Sequence, residues 1–411
     1  MDFDLSQDQQ MLFDTAAAFL RKESPITRLR AMREDPLGYS RPLWQRMGEL
    51  GWLGLLFPES VGGLGGSFAD GALILEQFGA TLVPEPFIPS VVLAGMAILR
   101  AGDEAQQQRW LPGLIEGNTT LALAYAEPQS RFDVTRVATR AERTGGGYRI
   151  DGSKVFVLNG HGADTIVVSA RTSGAEGDRT GISLFVVEPG AKGLGVRPIR
   201  TMDGHHAANL TFDNVQVDLD RRLGPEGDAA PVLDEVLDLG AAAACAEGAG
   251  IMRAVLQMTV EYLRTREQFG VKIGTFQALQ HRAVDMFVET ELARSTSILA
   301  SLSVGRGSAS AVPSSVGRGS ASAVPSSVGR GGSERETNER KSAISAAKTQ
   351  LAVSGRFVTQ QAVQLHGGIG VTDEHDVGLY FKRMHILGTL FGDEEFHVNR
   401  FASLPTFTTV L

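Results

Sequence analysis

The stretch Glu261–Gly270, EYLRTREQFG, decides how the chain is read. It closes a long apolar-striped segment that begins near Leu239. Upstream, Ile251, Val255, Met258 and Tyr262 recur at spacings of three and four. Met252, Leu256, Thr259 and Leu263 do the same one step on, so the apolar face is wide, as on a helix buried in a bundle. Arg264 and Arg266 follow, beside Phe269 and the helix-stopping Gly270. Cations in a last turn complement the helix dipole, which is the plainest account of them. A guanidinium beside an aromatic ring also suits a planar, phosphorylated ligand, and both readings stand at this point.

Working outward, the flanking segments sort into three units. Residues 1–120 read as helical, from a capping-box start at Ser6 and Gln9 through helices at 42–50, 69–78 and 90–101. The intervening run GWLGLLFPESVGGLGGS lacks the Lys-Ser or Lys-Thr of a phosphate loop and reads as a turn with close backbone approach. Residues 121–222 carry strand signals, namely VATRAER, YRIDG, TIVVSAR, ISLFVVE and ANLTFDNVQV, and predict an antiparallel barrel or sandwich. From 223 to 411 the helical period returns, with candidates at 232–268, 276–303, 336–366 and 377–391. The fold class expected is α+β multidomain: an N-terminal helical domain, a central antiparallel β-barrel and a C-terminal four-helix bundle. SVGRGSASAVPS at 303–314 is repeated at 315–326, and the segment 303–335 reads as a low-complexity loop between helices.

Composition narrows the function classes. The 411 residues include 39 basic and 47 acidic side chains, which argues against a general nucleic-acid binder. The lone Cys245 excludes an internal disulfide framework, and its neighbours AAACAEG read as those of a buried thiol. No basic n-region precedes an apolar run at the N-terminus, and no uninterrupted apolar segment suits a membrane span, so a cytoplasmic protein is expected. The histidines, including His366, His375, His385 and His397, lack metal-ligand spacing with Cys, and no metal site is expected.

Four stretches in order resemble the acyl-CoA dehydrogenase family over nearly the whole chain except the repeat. AYAEPQSRFD at 124–133 is similar to its TEPxxGSD loop beside the flavin, and GSKVFVLNG at 152–160 to its GxKxWITNG strand. REQFG at 266–270 with TFQ at 275–277, and QLHGGIG at 364–370, complete the pattern. The resemblance implies FAD lying across a subunit interface. Arg266 would neutralise the pyrophosphate, with Phe269 and Gln277 packing and hydrogen-bonding the cofactor. The backbone at Gln364, Gly367 and Gly368 would approach a second subunit's FAD, where a side chain on the glycines would clash, and Phe156 would stand behind the isoalloxazine. It further implies an acyl-CoA substrate, an electron-transfer flavoprotein as electron acceptor, and a homotetramer or a heterotetramer with a larger acyl-CoA dehydrogenase subunit.

Departures from the pattern are specific. Ala126 stands for the Thr of TEP, Arg131-Phe132 for Gly-Ser, and Leu158 for the Thr of WITNG, so hydroxyls that bond the flavin are absent. The usual catalytic Glu is Gly392, and the minority position on the central helix is Gly240. Abstraction of an α-proton needs a carboxylate in reach, which leaves Asp393, Glu247 or neither. The combination AEPQSRFD, LNGHGADT, YFKR and FGDEEFH resembles the pimeloyl-CoA dehydrogenase small-subunit subgroup, implying a bulky or dicarboxylic acyl group. Two functions follow: a dehydrogenase forming the trans-2-enoyl thioester, or a non-catalytic partner completing a sister subunit's FAD site.

Overall fold

The computed structural model describes residues 5–305 and 334–405. The expected repeat loop therefore lies outside the described residues, apart from the end of the helix that enters it. The chain opens with α1 (Gln7–Glu23), α2 (Ile26–Met32), α3 (Arg41–Glu49) and α4 (Phe68–Thr81). A π-helical segment, Ile88–Gly95, runs into α5 (Met96–Ala101), and α6 (Glu104–Ile115) completes the unit. Ser6 and Gln9 form the expected capping box: Gln9 N–H donates to Ser6 Oγ at 3.2 Å and Ser6 N–H to Gln9 Oε1 at 3.1 Å. The Gly-rich run is a tight turn, because a Cβ on Gly63 would lie 2.1 Å from the Phe57 carbonyl oxygen.

The middle unit comprises β1 (Leu121–Ala124), β2 (Arg140–Arg143), β3 (Gly147–Leu158), β4 (Thr165–Arg171), β5 (Ile182–Val187), β6 (Leu194–Arg200), β7 (His206–Asp218) and β8 (Arg222–Leu223). Its order is β6-β7-β3-β2-β4-β5-β8, with β1 beside β4. Two expectations are corrected here. The sheet is open rather than a closed barrel, and it is mixed, since β1 and β2 both pair parallel with β4. Long crossovers between those strands permit parallel pairing that a tight hairpin cannot give. Tyr148, Ile150, Phe185, Leu210 and Phe212 fill its own core.

The last unit holds α7 (Ala230–Thr265), the short hairpin β9 (Glu267–Gln268) and β10 (Val271–Lys272), then α8 (Gln277–Gly305), α9 (Glu334–His366), α10 (Val377–Thr389) and α11 (Glu394–Ala402). The helix expected at 232–268 stops earlier, because EQFGVK turns back as a hairpin. In length and composition α7 could cross a bilayer, but 83% of its most apolar window is buried, as in a core helix. Small residues let α4 and α7 touch backbone to backbone. A Cβ on Gly79 would sit 1.9 Å from the Glu247 carbonyl oxygen, and one on Gly250 1.8 Å from that of Glu76.

Candidate functional site

Strand β3 carries the first feature out of the ordinary. Its inward positions run Tyr148, Ile150, Lys154, then shift parity to Val157 across a bulge. Phe156 sits in that bulge with φ +52°, a left-handed conformation costly for a bulky residue, and its ring is 38% exposed. Its N–H donates to Asn209 Oδ1 at 3.1 Å, and the N–H of Val155 donates to the Ala126 carbonyl at 2.9 Å. The strained residue is thus tied to the 124–133 loop.

Beneath that loop lies a buried ion pair that sequence reading missed. Lys154 Nζ donates to Glu127 Oε1 at 2.7 Å, to Ser169 Oγ at 2.9 Å and to the Tyr125 carbonyl at 3.2 Å. Burial pushes the Lys154 ammonium down to about 8. Burial alone would raise Glu127, but the Lys154 charge and the donors around it hold its carboxyl below the ordinary value. A lysine on the inward side of an alternating strand was the available signal.

Asp393 faces the same loop. A cavity of about 300 Å³ separates Gln129–Asp133 and Arg136 from Asp393, Glu395, Phe396 and Asn399. Asp393 caps α11, its Oδ1 accepting from Phe396 N–H at 2.9 Å. The Phe132 and Phe396 rings meet at 5.3 Å across one side of the cavity. The structure therefore brings Asp393 to the loop singled out in the sequence.

Glu247 is elsewhere and engaged. It is buried on α7, and both its oxygens are held by Arg383, at 2.6 Å from Nε and 3.0 Å from Nη2. Arg383 Nη1 also donates to Asp203 Oδ2 at 2.8 Å, so one guanidinium joins α7, α10 and the β6–β7 turn. Burial would raise the Asp203 carboxyl, yet His205 and Arg383 drive it far below its ordinary value. In this arrangement Glu247 is the structural counter-ion of Arg383 rather than a free base, and its place among alanines fits a buried, hydrogen-bonded carboxylate.

At both positions where the resemblance would put a base, a side chain could enter only if its neighbours shifted. Gly392 has φ +117°, and a Cβ there would lie 2.4 Å from His397 Nε2. A Cβ on Gly240 would meet Leu93 Cδ2 at 2.8 Å and the Phe391 ring at 3.1 Å. Phe391 is held in place from below, as His397 Nε2–H donates to its carbonyl at 3.0 Å. Lys348 Nζ donates to the Leu387 carbonyl at 2.6 Å at the end of α10.

The remaining candidates point outward. Arg266, Phe269, Gln277, Gln364, Gly367 and Gly368 are all exposed. The Arg266 N–H donates to the Tyr262 carbonyl at 2.9 Å and closes α7, while its guanidinium has no partner among the described residues. Phe269 and Gly270, at φ +56° and +77°, form the two-residue loop of the β9–β10 hairpin, and Phe269 is 92% exposed. The expected clash at the QLHGG turn is with a second subunit's FAD; among the described residues beyond the chain neighbours, nothing lies within 4 Å of a Cβ placed on Gly367 or Gly368. Among the described residues no group of three or more His, Cys, Asp or Glu is placed to hold a metal. Cys245 is buried, and burial pushes its thiol up to about 12.

Family models for the acyl-CoA dehydrogenase N-terminal, middle and C-terminal domains match residues 6–118, 122–215, and 230–315 with 330–403. The mitochondrial isovaleryl-CoA dehydrogenase of Pongo abelii is 33% identical over 289 residues, 69% of this chain and 68% of its own. The chain belongs to the acyl-CoA dehydrogenase family. Across the isovaleryl-CoA dehydrogenases the match spans about two thirds of their length, 62–68%. Two solved structures align almost throughout. An electron transferring flavoprotein structure from Acidaminococcus fermentans gives 30% identity, a TM-score of 0.85 and 98% of each chain. The ChsE4-ChsE5 complex from Mycobacterium tuberculosis gives 26%, 0.81 and 97% of each.

FAD is the cofactor of this oxidoreductase family, and the outward residues suit it. An unpaired guanidinium, a presented aromatic ring and two glycines facing open space are what a dinucleotide's phosphates and flat ring require. The inward half suits it less well, because Ala126 and Leu158 offer no side-chain hydrogen bond.

Proposed function

We propose that the chain serves the α,β-dehydrogenation of an acyl-CoA thioester as the flavin-completing subunit of a heteromeric acyl-CoA dehydrogenase. The observation that carries this reading is the contrast between an open outward grip and an inward side without a free carboxylate at either usual position. FAD, when bound, supplies the hydride acceptor. Arg266 would bind its pyrophosphate, Phe269 and Gln277 its flat and polar parts, and the Gln364–Gly368 backbone would border it. The proton from the α-carbon would go to a carboxylate of the sister subunit. An apolar stripe on α8, Val284, Phe287, Val288, Leu292 and Leu299, is exposed in the isolated chain and would be the subunit contact. The likeness to the ChsE4-ChsE5 complex supports a heteromer, and that to the electron transferring flavoprotein structure supports such a protein as electron acceptor. The residue combination around AEPQSRFD and FGDEEFH favours a bulky or dicarboxylic acyl group, as in the pimeloyl-CoA subgroup. A cytoplasmic setting completes the proposal.

One observation favours a second reading. Asp393 lines the cavity against the 129–133 loop and retains an oxygen not used in capping, so an autonomous dehydrogenase would use it as base. The deciding experiment is expression alone and with a Glu-bearing paralogue, measuring FAD per chain and bleaching by acyl-CoA thioesters. The proposal expects flavin and bleaching only in the co-expressed complex. Flavin bound to the chain alone and bleached by a thioester would establish the second reading.

A further inference from the structure

Behind the outward grip lies a stack of rings, one of them the His366 of QLHGGIG, to which no role has yet been given. Tyr262 stands one helical turn before Arg266 on α7 and bonds it through the backbone. His366 is the last residue of α9 and immediately precedes Gly367, whose φ is +64°. The Tyr262 and His366 rings lie 4.5 Å apart at 31°, His366 and His375 meet at 4.5 Å and 53°, and Tyr262 meets His375 edge-on at 6.4 Å and 79°, so the stack is closed on itself. The stack therefore spans the gap between the segment carrying Arg266 and the segment carrying the Gly367–Gly368 turn.

His366 is held more tightly than packing alone demands. It is 2% exposed, and its Nδ1–H donates to the Ala362 carbonyl at 2.7 Å, which fixes the ring's rotation. Nε2 is then a lone-pair acceptor, buried and without a partner among the described residues. An unsatisfied buried acceptor is costly, and a phenyl ring would avoid the cost. The bond to Ala362 aims the ring, and the ring's contacts with Tyr262 and His375, which phenylalanine keeps, carry the spacing. The outer ring is anchored too: Val377 N–H donates to His375 Nδ1 at 3.2 Å. Arg30 of α2 and Arg33 just past its end pair with Asp376 and Asp373 on either side of it.

We infer that the Tyr262–His366–His375 stack sets the spacing between Arg266 and the Gly367–Gly368 turn, with His366 as the positioning residue of the flavin grip offered to the sister subunit. The inference rests on the reading under Proposed function. Its test strips flavin from the full-length chain in its assembly and titrates FAD into wild type, His366→Ala, His366→Phe and His375→Ala. The readouts are FAD affinity, visible circular dichroism of bound flavin at saturation, and melting of the apo assembly. His366→Ala is expected to weaken FAD about tenfold and alter the flavin dichroism, a signature that plain destabilisation would not give. His366→Phe, which keeps the stack, should recover to within about threefold of wild type. Should His366→Ala fail to fold, His375→Ala removes only the outer ring and should still cost about threefold. Wild-type affinity and dichroism in His366→Ala, or in His375→Ala where that variant stands in, overturn the inference. Equal losses in His366→Ala and His366→Phe also overturn it, by assigning the effect to the Ala362 bond alone. If Arg266→Ala also binds FAD normally, the flavin placement itself fails. If only the His366 and His375 variants do, that placement stands and the stack's role falls.

Discussion

The hairpin and turn at 266–270 and 364–368 are open where the region around Gly392 is filled. Both regions sit at helix ends and both contain residues at positive φ, yet they treat space oppositely. At Gly367 and Gly368 a side chain would meet nothing among the described residues, whereas at Gly392 and Gly240 it would strike His397, Phe391 or Leu93. Glycine at the first pair keeps room for something outside the chain. Glycine at the second pair yields to neighbours that have already taken the room. Under the proposed function, the same residue type marks a ligand surface in one place and a closed interior in the other.

The comparison can be broken most sharply at Arg266. Arg266→Ala removes the unpaired cation of the open region, and FAD affinity of the assembly should fall roughly 100-fold. Unchanged flavin content measured by absorbance would remove the open region from cofactor binding. Next in size is Glu247→Gln, which leaves Arg383 with one carboxylate in a buried setting. It should lower stability by about 3–5 kcal/mol in denaturant unfolding. A variant of wild-type stability that has lost turnover would instead make Glu247 a base.

Acid should loosen the filled region. Burial holds His397 down to about 3, from an ordinary value of 6.5. The unfolded chain therefore takes up this proton first, and stability falls as pH drops from 6.5 toward 3 while neutral pH is unaffected. The expected slope from this residue is on the order of 1 kcal/mol per pH unit, and His397→Gln should flatten it in unfolding experiments. The smallest effect expected is that of Asp393→Asn. Asn caps helices as well as Asp, so stability should move by less than about 0.5 kcal/mol and turnover of the complex should hold. A loss of about 100-fold or more in turnover would identify Asp393 as the general base.

Much of this was legible from residue pattern. The wide stripe from Ile251 to Leu263 belongs to a buried helix, and Ser6 with Gln9 forms the cap that their spacing implies. The hairpin at Glu267–Lys272 was not legible, because helical period says nothing about a Phe forced to positive φ. Closure of the sheet was over-read, since strand signals give alternation but not which strands become neighbours. In the candidate site, the absence of a carboxylate at Gly392 and Gly240 could be read directly. The partners of Glu247 could not, because Arg383 is distant in sequence and only folding brings it near. Lys154 was the missed opportunity: its parity with Tyr148 and Ile150 put a charge on the inward face of a strand.

The crossing of α4 and α7 has a consequence for motion. With Gly79 against the Glu247 carbonyl and Gly250 against that of Glu76, the two helical units meet along backbone rather than along yielding side chains. Such a seam has little slack to slide or pivot, so the helical units breathe as one body. The sheet is fastened to that body as well: Leu121, Leu123, Val167, Leu184 and Val186 share one core with Val91 and Val236, and Arg41 and Arg383 pair with Asp164 and Asp203. Hydrogen exchange would then divide the molecule by burial rather than by sequence order, slow on both sides of the glycine crossing and faster at the exposed strands β6, β9 and β10.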